Sequence, residues 1–462
     1  MSQSPASDTI FALSSGMPPA AIGVVRVSGP AAGAAPLPWT ASWSYRPWPA
    51  AGAALKALAG HLPPPRRAAL AALKDADGAA LDRALVLWFP GPATATGEDL
   101  AELHLHGGRA VVAAVEAALA AMPGLRRAEA GEFTRRAFEN GRIDLAEAEG
   151  LADLLAAETE SQRVQALGMA SGHVSRAVAA WQERLLGLMA GAEAELNFAD
   201  EDDVEVGEGV AQRLIAGMGD LAGELGEWLA RPAAEVIAEG VSVVIAGPPN
   251  AGKSTLINAL AQRELAIVSP IEGTTRDVIE TPLALDGIAM RFSDTAGIRG
   301  EGADAIEAIG IDRAKAAVEG ADILLWLGPA KDAPGHPRCI TIAAQVDRWR
   351  GDAAAEAEAA HADLTLSAAT GEGMDRLHKY IVEMARTLLP REGEAALRQR
   401  QRVALAEAKG WLTIEPESRE ANDLILLAER LRLAATALDR VTGRAGVEEM
   451  LDALFGRFCI GK

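Results

Sequence analysis

Only two cysteines, Cys339 and Cys459, occur in the 462 residues. They are too few for a disulfide framework or a four-ligand thiolate metal site, which fits a reducing cytosol. No stretch approaches the roughly 18 apolar residues of a membrane span, and the N-terminal segment lacks a basic run followed by an apolar one. A cytoplasmic protein with no membrane association is expected. Positive charge is scarce: Lys and Arg number 44 against 64 Asp and Glu, a formal net charge of −20. A body of that charge does not grip nucleic acid over its whole surface, which leaves only local basic patches for that purpose. Proline is absent between Pro123 and Pro232. From about Gly131 to Ala230 the residues are mainly Ala, Leu and Glu at helical spacing, so this is a helical domain. The length allows two to four domains, each with its own core.

What the sequence does contain is concentrated at 241–297. Val241-Ser242-Val243-Val244-Ile245-Ala246 is apolar, rich in β-branched residues and too short for a free-standing helix, hence a buried strand. It runs into Gly247-Pro248-Pro249-Asn250-Ala251-Gly252-Lys253-Ser254, which fits G-x-x-x-x-G-K-S, and then into a helical stretch from Thr255 to Leu260. Gly247 and Gly252 let the backbone curl so that N–H groups face phosphate oxygens. Lys253 reaches the β- and γ-phosphates, Ser254 ligates magnesium, and the helix N-terminus adds its dipole. Asp294-Thr295-Ala296-Gly297 ends a second strand, Ile288 to Ser293, where Asp294 can hold magnesium through water and Gly297 can meet the γ-phosphate. Between them, in Gly273-Thr274-Thr275-Arg276-Asp277, Thr275 can complete the magnesium shell. The three elements in this order predict a GTPase of the translation-factor type.

Thr281–Leu285 and Ile288–Ser293 flank Asp286-Gly287 and read as a hairpin. A helix near Ala303–Glu319 and strands Asp322–Leu327 and Arg338–Ala343 follow. Guanine is usually read by N-K-x-D; here Ala344-Gln345-Val346-Asp347 keeps the Asp and loses the Asn and Lys. Asp347, with Ser367-Ala368, still favours guanine over adenine, because adenine cannot donate the N–H pair that the carboxylate would accept. Ile298 stands where Ras-like enzymes place a water-orienting Gln, so another group must orient the attacking water.

Upstream, Asp8–Leu13 and Ile22–Gly29 are strand-like, with Arg26 interrupting the second; an outward, solvated side chain is its plain reading. Leu85–Phe89 and Leu103–Gly108 are further strands, and Ala110–Met122 is a helix. His104 and His106 share one strand face, where packing or hydrogen bonding is preferred over a metal site, which would need a third ligand. The Trp- and Pro-rich segment 36–50 suits a surface loop, and Asp200-Glu201-Asp202-Asp203 with Glu205 a solvated connection. Helical periodicity resumes from Glu394. A helical domain split by an inserted GTPase is the economical architecture, and inserted domains have adjacent termini.

The chain resembles the MnmE (TrmE) family of tRNA modification GTPases almost end to end. The residues that carry the resemblance are Asp8-Thr9-Ile10, Val25-Arg26-Val27-Ser28-Gly29, Thr96-Gly97-Glu98-Asp99, Gly131-Glu132-Phe133-Thr134, Arg136-Ala137-Phe138 and Asn140-Gly141-Arg142-Ile143-Asp144-Leu145. The nucleotide motifs and Phe458-Cys459-Ile460-Gly461-Lys462 complete the set. It implies an α/β P-loop GTPase domain (235–388) inserted into an all-α helical domain (126–234 and 389–462), preceded by an α+β folate-binding and dimerisation domain (1–125). It implies a homodimer that, in a heterotetramer with the FAD-containing flavoprotein MnmG, adds carboxymethylaminomethyl or aminomethyl groups to carbon 5 of the tRNA wobble uridine. The one-carbon donor would be of the 5-formyltetrahydrofolate type, contacted by Arg26, Glu102, Arg142 and Lys462. The family often has Lys where Arg142 stands. Cys459 matches a family cysteine of open role.

The resemblance further implies potassium activation, with Asn250, Ser269, Ile271 and Thr274 as cation ligands, and Glu307 as the hydrolytic carboxylate in place of the missing Gln. On motifs and resemblance together, GTP is expected at Asn250, Ala251, Gly252, Lys253, Ser254, Thr255, Ser269, Pro270, Ile271, Glu272, Gly273, Thr274, Asp294, Thr295, Ala296, Gly297, Asp347, Ser367 and Ala368. The competing function is a GTPase switch in ribosome assembly. Such factors usually carry a second GTPase domain or a basic RNA-binding module, and neither is found in this sequence.

Overall fold

The computed structural model describes residues 8–29, 50–198, 210–263, 265–266, 280–294, 315–391, 394–415, 423–444 and 448–461. The Trp/Pro segment up to Pro49, the acidic run at 200–205 and most of the helix expected near Ala303–Glu319 lie outside the described residues. The chain divides into two compact units, Met1–Ala152 with Thr442–Lys462, and Asp153–Val441.

The first unit is built on a six-stranded sheet in the order β3-β4-β5-β2-β1-β6. Its strands are β1 (Thr9–Leu13), β2 (Ile22–Gly29), β3 (Ala69–Lys74), β4 (Ala80–Phe89), β5 (Asp99–His106) and β6 (Leu125–Arg127). Alternation along β2 and β5 sends Val25, Val27, Leu103 and Leu105 to one face. There they form a core with Leu55 and Leu58 of α1 (Ala50–Ala59) and Val112, Val115 and Leu119 of α2 (Arg109–Ala120). The opposite face carries Arg26, Ser28, Glu102 and His104, with Arg26 opposite Glu102 and Val24 opposite His104. Helices α3 (Glu132–Glu139) and α4 (Leu145–Ala156) follow, and Leu145, Leu454, Phe455 and Phe458 share a small apolar cluster.

In the second unit, α5 (Glu160–Ala170), α6 (His173–Phe198) and α7 (Val210–Ala230) form the helical part before the nucleotide domain. The Trp181 indole N–H donates to Glu224 at 2.9 Å, and its ring meets Trp228 edge-on. After α8 (Ala234–Ala238) comes the second sheet, edged by β8 (Leu265–Ala266) and β13 (Leu364–Thr365), in the order β13-β12-β11-β7-β10-β9-β8. Strand β7 (Val241–Ala246) lies near its centre, parallel to both β10 (Ile288–Asp294) and β11 (Ile323–Trp326). As expected, β9 (Glu280–Leu285) and β10 form an antiparallel hairpin, with Asp286 and Gly287 at positive φ in its turn. Strand β12 (Cys339–Ala343) pairs parallel with β11. Because strands lie on both sides of β7, its carboxyl end is a topological switch point, where open α/β sheets bind ligands.

Chain entry and exit of this domain meet. Ala233 bridges Leu397 in parallel, and Ala234 N–H donates to Leu397 O at 3.0 Å. Arg402, on the returning helix Gln399–Leu412, donates to the Arg231 carbonyl just beyond α7 at 2.9 Å. The helical part also grips the sheet: Ser161 Oγ donates to Gly287 O in the hairpin turn at 2.9 Å, and Gln162 donates to Ile237 O ahead of β7 at 3.2 Å.

Candidate functional site

The loop after β7 has the conformation its glycines permit. Gly247 and Gly252 take φ of 149° and 92°, and a Cβ on Gly247 would lie 2.2 Å from the Leu327 carbonyl oxygen, so no side chain fits there. The loop delivers Lys253 to the start of helix α9 (Lys253–Arg263). Its ammonium folds back over the loop, donating to Gly247 O at 3.1 Å and Pro248 O at 3.0 Å. Lys253 is buried although charged; the carbonyls that hold it also aim it across the loop, where a phosphate would sit. Ser254 Oγ donates to Asp294 Oδ2 at 2.7 Å. A hydroxyl and a carboxylate side by side at the head of a helix are a hard-oxygen pair of the type that magnesium takes.

A cavity continues from Gly252 and Thr255 to the far side of the loop, where Leu327, Gln345, Asp347, Ser367 and Ala368 line it. Ser367 is wholly buried: its N–H donates to Glu372 O at 2.9 Å and its carbonyl accepts from Gly371 N, which fixes the turn that presents Ala368. Asp347 is solvent-exposed in the first turn of a short helix, Val346–Trp349. Asp347, Ser367 and Ala368 thus share one cavity with Gly252 and Thr255, the residues that flank Lys253 and Ser254 at the carboxyl end of β7. Ser269, Pro270, Ile271, Glu272, Gly273, Thr274, Thr275, Thr295, Ala296, Gly297, Glu307 and Lys462 lie outside the described residues.

A second group of polar side chains occupies the open face of the first sheet. Arg26 Nε donates to Glu102 Oε1 at 2.9 Å, and the His104 ring nitrogen Nε2 is 3.2 Å from Glu102 Oε2. The Arg26 side chain is 35% exposed, so its guanidinium retains free directions toward solvent. Arg26 is thus outward and partly solvated, as its plain reading has it, and is in addition paired across the strands. His106 bonds to Asp82 at 2.7 Å. The two histidines are therefore hydrogen-bonded to separate carboxylates, and among the described residues no group of three or more His, Cys, Asp or Glu is placed to hold a metal ion. Arg142 Nε donates to Thr94 O at 3.1 Å.

At the covered end of the same face, where Glu98 meets Ser28, lies a buried ion network that sequence reasoning did not find. Arg136, 5% exposed, pairs with Asp8 at 2.9 Å, Glu132 at 3.0 Å and Glu98 at 3.2 Å, while Arg126 also binds Asp8 and Glu132. Burial alone would raise the Asp8 and Glu132 carboxyls, but the guanidiniums of Arg126 and Arg136 outweigh it and hold both below the usual range. Burial likewise works against the Arg136 charge, and the field of Glu98 and Glu132 overrides it. Glu98 also accepts from Ser28 Oγ at 2.7 Å. A signal was present: acidic and basic residues recur in the motifs 96–99, 131–134 and 136–138.

The stretch Phe458–Gly461 packs on the same unit. Ile460 bridges Ala130, Phe458 is buried, and Gly461, at φ 95°, approaches so closely that a Cβ would lie 2.2 Å from Leu13 O. Cys459 is exposed.

Comparison with known proteins agrees with both halves of this description. Residues 145–459 match the model of the MnmE helical domain, and residues 9–142 match that of the GTP-binding protein TrmE N-terminus. The chain belongs to the MnmE family of tRNA modification GTPases. The tRNA modification GTPase MnmE of Sphingopyxis alaskensis is 87% identical over 412 residues, covering 89% of this chain and 98% of that protein. Those of Erythrobacter litoralis and Zymomonas mobilis are 54% and 49% identical, each covering 98% of this chain and 100% of the relative. As an MnmE-family GTPase, the chain has the expected combination of an α/β P-loop domain, a helical domain and an N-terminal TrmE domain. Among the described residues no helix is long and apolar enough to cross a membrane.

Proposed function

We infer that this GTPase hydrolyses GTP to drive modification of carbon 5 of the wobble uridine in tRNA. The cycle would run as a homodimer partnered by the flavoprotein MnmG, in the cytoplasm, with a 5-formyltetrahydrofolate-type donor. The observation that carries the GTP half is the crevice in which Lys253 lies across the phosphate loop and Ser254 meets Asp294 at 2.7 Å. Ser254 and Thr275 would hold magnesium, with Asp294 reaching it through water, and the ion would neutralise charge on the β- and γ-phosphates. Asp347 would accept the two N–H groups of guanine.

In this reading Glu307 orients water in place of the missing Gln, and potassium at Asn250, Ser269, Ile271 and Thr274 supplies the charge that an arginine finger supplies in other GTPases. On the sheet face, Glu102 suits the N–H edge of a pterin. Arg26 and Arg142, with Lys462, suit the carboxylates of its glutamate tail.

Nucleoside analysis of tRNA tests the whole reading. A strain lacking the protein should lose the modified wobble uridine and recover it with the wild-type chain but not with Ser254→Ala. Unaltered tRNA in the deletion strain would sink the tRNA role. Replacing sodium by potassium at constant ionic strength should raise hydrolysis strongly, and equal rates would remove the potassium assignment.

A further inference from the structure

We propose that Arg66 and Arg67, together with Arg142, form a cationic cradle around the loop 90–98 that takes the oligo-γ-glutamate tail of a polyglutamylated folate. The chain carries a net charge of −20, and many arginines of the first unit sit against carboxylates: Arg26, Arg126, Arg127, Arg135 and Arg136 all do. Arg66, Arg67 and Arg142 differ. All three are exposed, and none has a carboxylate partner among the described residues.

Two of them meet at one place. Arg66 donates through Nη2 to the Ala93 carbonyl, and Arg142 donates through Nε to the carbonyl of the next residue, Thr94, at 3.1 Å. The loop that offers these carbonyls is itself fixed: Gly91 N–H donates to Asp99 Oδ1 at 2.7 Å, and Thr94 Oγ1 donates to the Glu98 carbonyl at 2.5 Å. Arg66 is also held from its own side. Its backbone, at φ 60°, donates its N–H to the Trp88 carbonyl at 2.8 Å, and its guanidinium lies 5.8 Å from the centroid of the Phe89 ring. A guanidinium has five N–H donors. The carbonyl bonds leave Nη1 and Nη2 of Arg142 and Nη1 of Arg66 without a protein acceptor, and Arg67, the next residue in the chain, makes no side-chain bond among the described residues.

Guanidinium forks match planar carboxylates in geometry as well as in charge. Three of them about one short loop match a ligand with several carboxylates in a row, and a γ-linked oligoglutamate carries one on every unit. The inference rests on the reading of Arg142 as a contact of the donor's glutamate: the tail leaves Arg142 along Thr94 and Ala93 and reaches Arg66 and Arg67. An RNA backbone is the poorer fit. The loop has no aromatic ring on which a base could stack, three cations make a small footprint, and the strongly acidic body around them repels a long phosphate chain. Arg67→Glu is the diagnostic variant, because it reverses a charge at a side chain that holds nothing else in place.

The experiment titrates the full-length protein calorimetrically with 5-formyltetrahydrofolate carrying one glutamate or three, and reads the ratio of the two affinities. Wild type should bind the triglutamate roughly three- to thirtyfold tighter, the range of two exposed charge pairs, and most of that ratio should vanish when salt is raised from about 0.05 to about 0.5 M. Arg67→Glu should bring the ratio to one or below, and Arg67→Lys should keep it. Arg66→Gln, which retains an N–H for the Ala93 carbonyl but loses the charge, should lower it about threefold. A ratio of one in the wild type overturns the cradle and leaves the folate site standing, as does an undiminished ratio in both Arg67→Glu and Arg66→Gln. If neither folate binds, the folate reading fails and the cradle falls with it. An undiminished ratio with weaker tRNA binding in Arg67→Glu overturns the cradle in favour of an RNA contact.

Discussion

Arg136 joins three carboxylates, and its removal exposes how much of the first unit depends on them. Replacing it by Met keeps the length and apolar stem of the side chain and deletes only the guanidinium. Glu98, 9% exposed at the side chain, then retains the Ser28 hydroxyl but no cation. Glu132 and Asp8 retain Arg126 alone, so two negative charges share one guanidinium with a third buried carboxylate close by. Breaking a buried pair by deleting one partner costs about 3–5 kcal/mol, most of it the uncompensated charge. For a unit of this size each kcal/mol moves the midpoint by roughly 2–4 °C, so Arg136→Met should melt about 6–20 °C lower. Calorimetry of the full-length protein gives the shift, and amide exchange identifies the unit. Peptides from β1 and β5 should lose protection, while those from β7 keep it. Arg136→Lys, which restores charge without the fork, should fall between. A loss of less than about 1 kcal/mol, within the range of exposed pairs, would refute the account of this cluster, as would equal loss of protection in β7.

Asp8 and Glu132 are held below their ordinary values in the fold, so their contribution is complete above about pH 5 and is lost as pH falls through the depressed folded values. Arg136→Met should therefore flatten the acid limb of the stability profile, and superimposable limbs would show that these groups carry no linkage. Asp347→Asn should lower GTP affinity by about two orders of magnitude and favour the xanthine nucleotide, whose 2-oxo group accepts where guanine donates; competition binding with GDP and XDP measures the switch, and an unchanged preference would remove Asp347 from base reading. Gly461→Ala places a methyl carbon against the Leu13 carbonyl at φ 95°, so the terminal stretch should detach. Folate-analogue binding is expected to fall while GTP hydrolysis persists, and parallel loss of both would contradict a folate-side role for this stretch.

The nucleotide crevice was legible because each of its signals is local. The glycines, Lys253 and Ser254 sit within eight consecutive positions, and each has a steric or electrostatic reason of its own. Gln345 was legible only as a departure from a motif. The hydrogen bond from its amide to the Asn250 carbonyl, at 2.9 Å, depends on two left-handed residues, Gln345 and Asn250, and on β12 and β7 ending near the same point, which no window of sequence reports. Strand β3 was not foreseen for a related reason. Ala69-Leu70-Ala71-Ala72-Leu73-Lys74 has helix-forming composition, but pairing with β4 and the burial of Ala71 and Leu73 against the sheet core override that propensity. The start of β4 was likewise missed because Asp82 and Arg83 interrupt its apolar pattern, although Asp82 is bound there by His106.

The N-terminal motifs are a different case, since they were recognisable as a set before their purpose was. Asp8, Glu98, Glu132 and Arg136 come from four separate motifs and meet in a single buried network. Their recurrence is therefore framework chemistry, and the physical link to the open face can be traced bond by bond. Glu98 takes the Ser28 hydroxyl, and Ser28 bonds Thr96 at 2.8 Å; Thr94 donates to the Glu98 carbonyl at 2.5 Å. The loop so fixed offers its Thr94 carbonyl to Arg142 and its Thr96 carbonyl to Asn140 at 2.8 Å. Two residues along β2 from buried Ser28, on the same face, stands half-exposed Arg26. The network thus supports the setting of both arginines from the covered end of that face, and for this reason the residues most useful for recognising the family are largely distinct from those that face solvent.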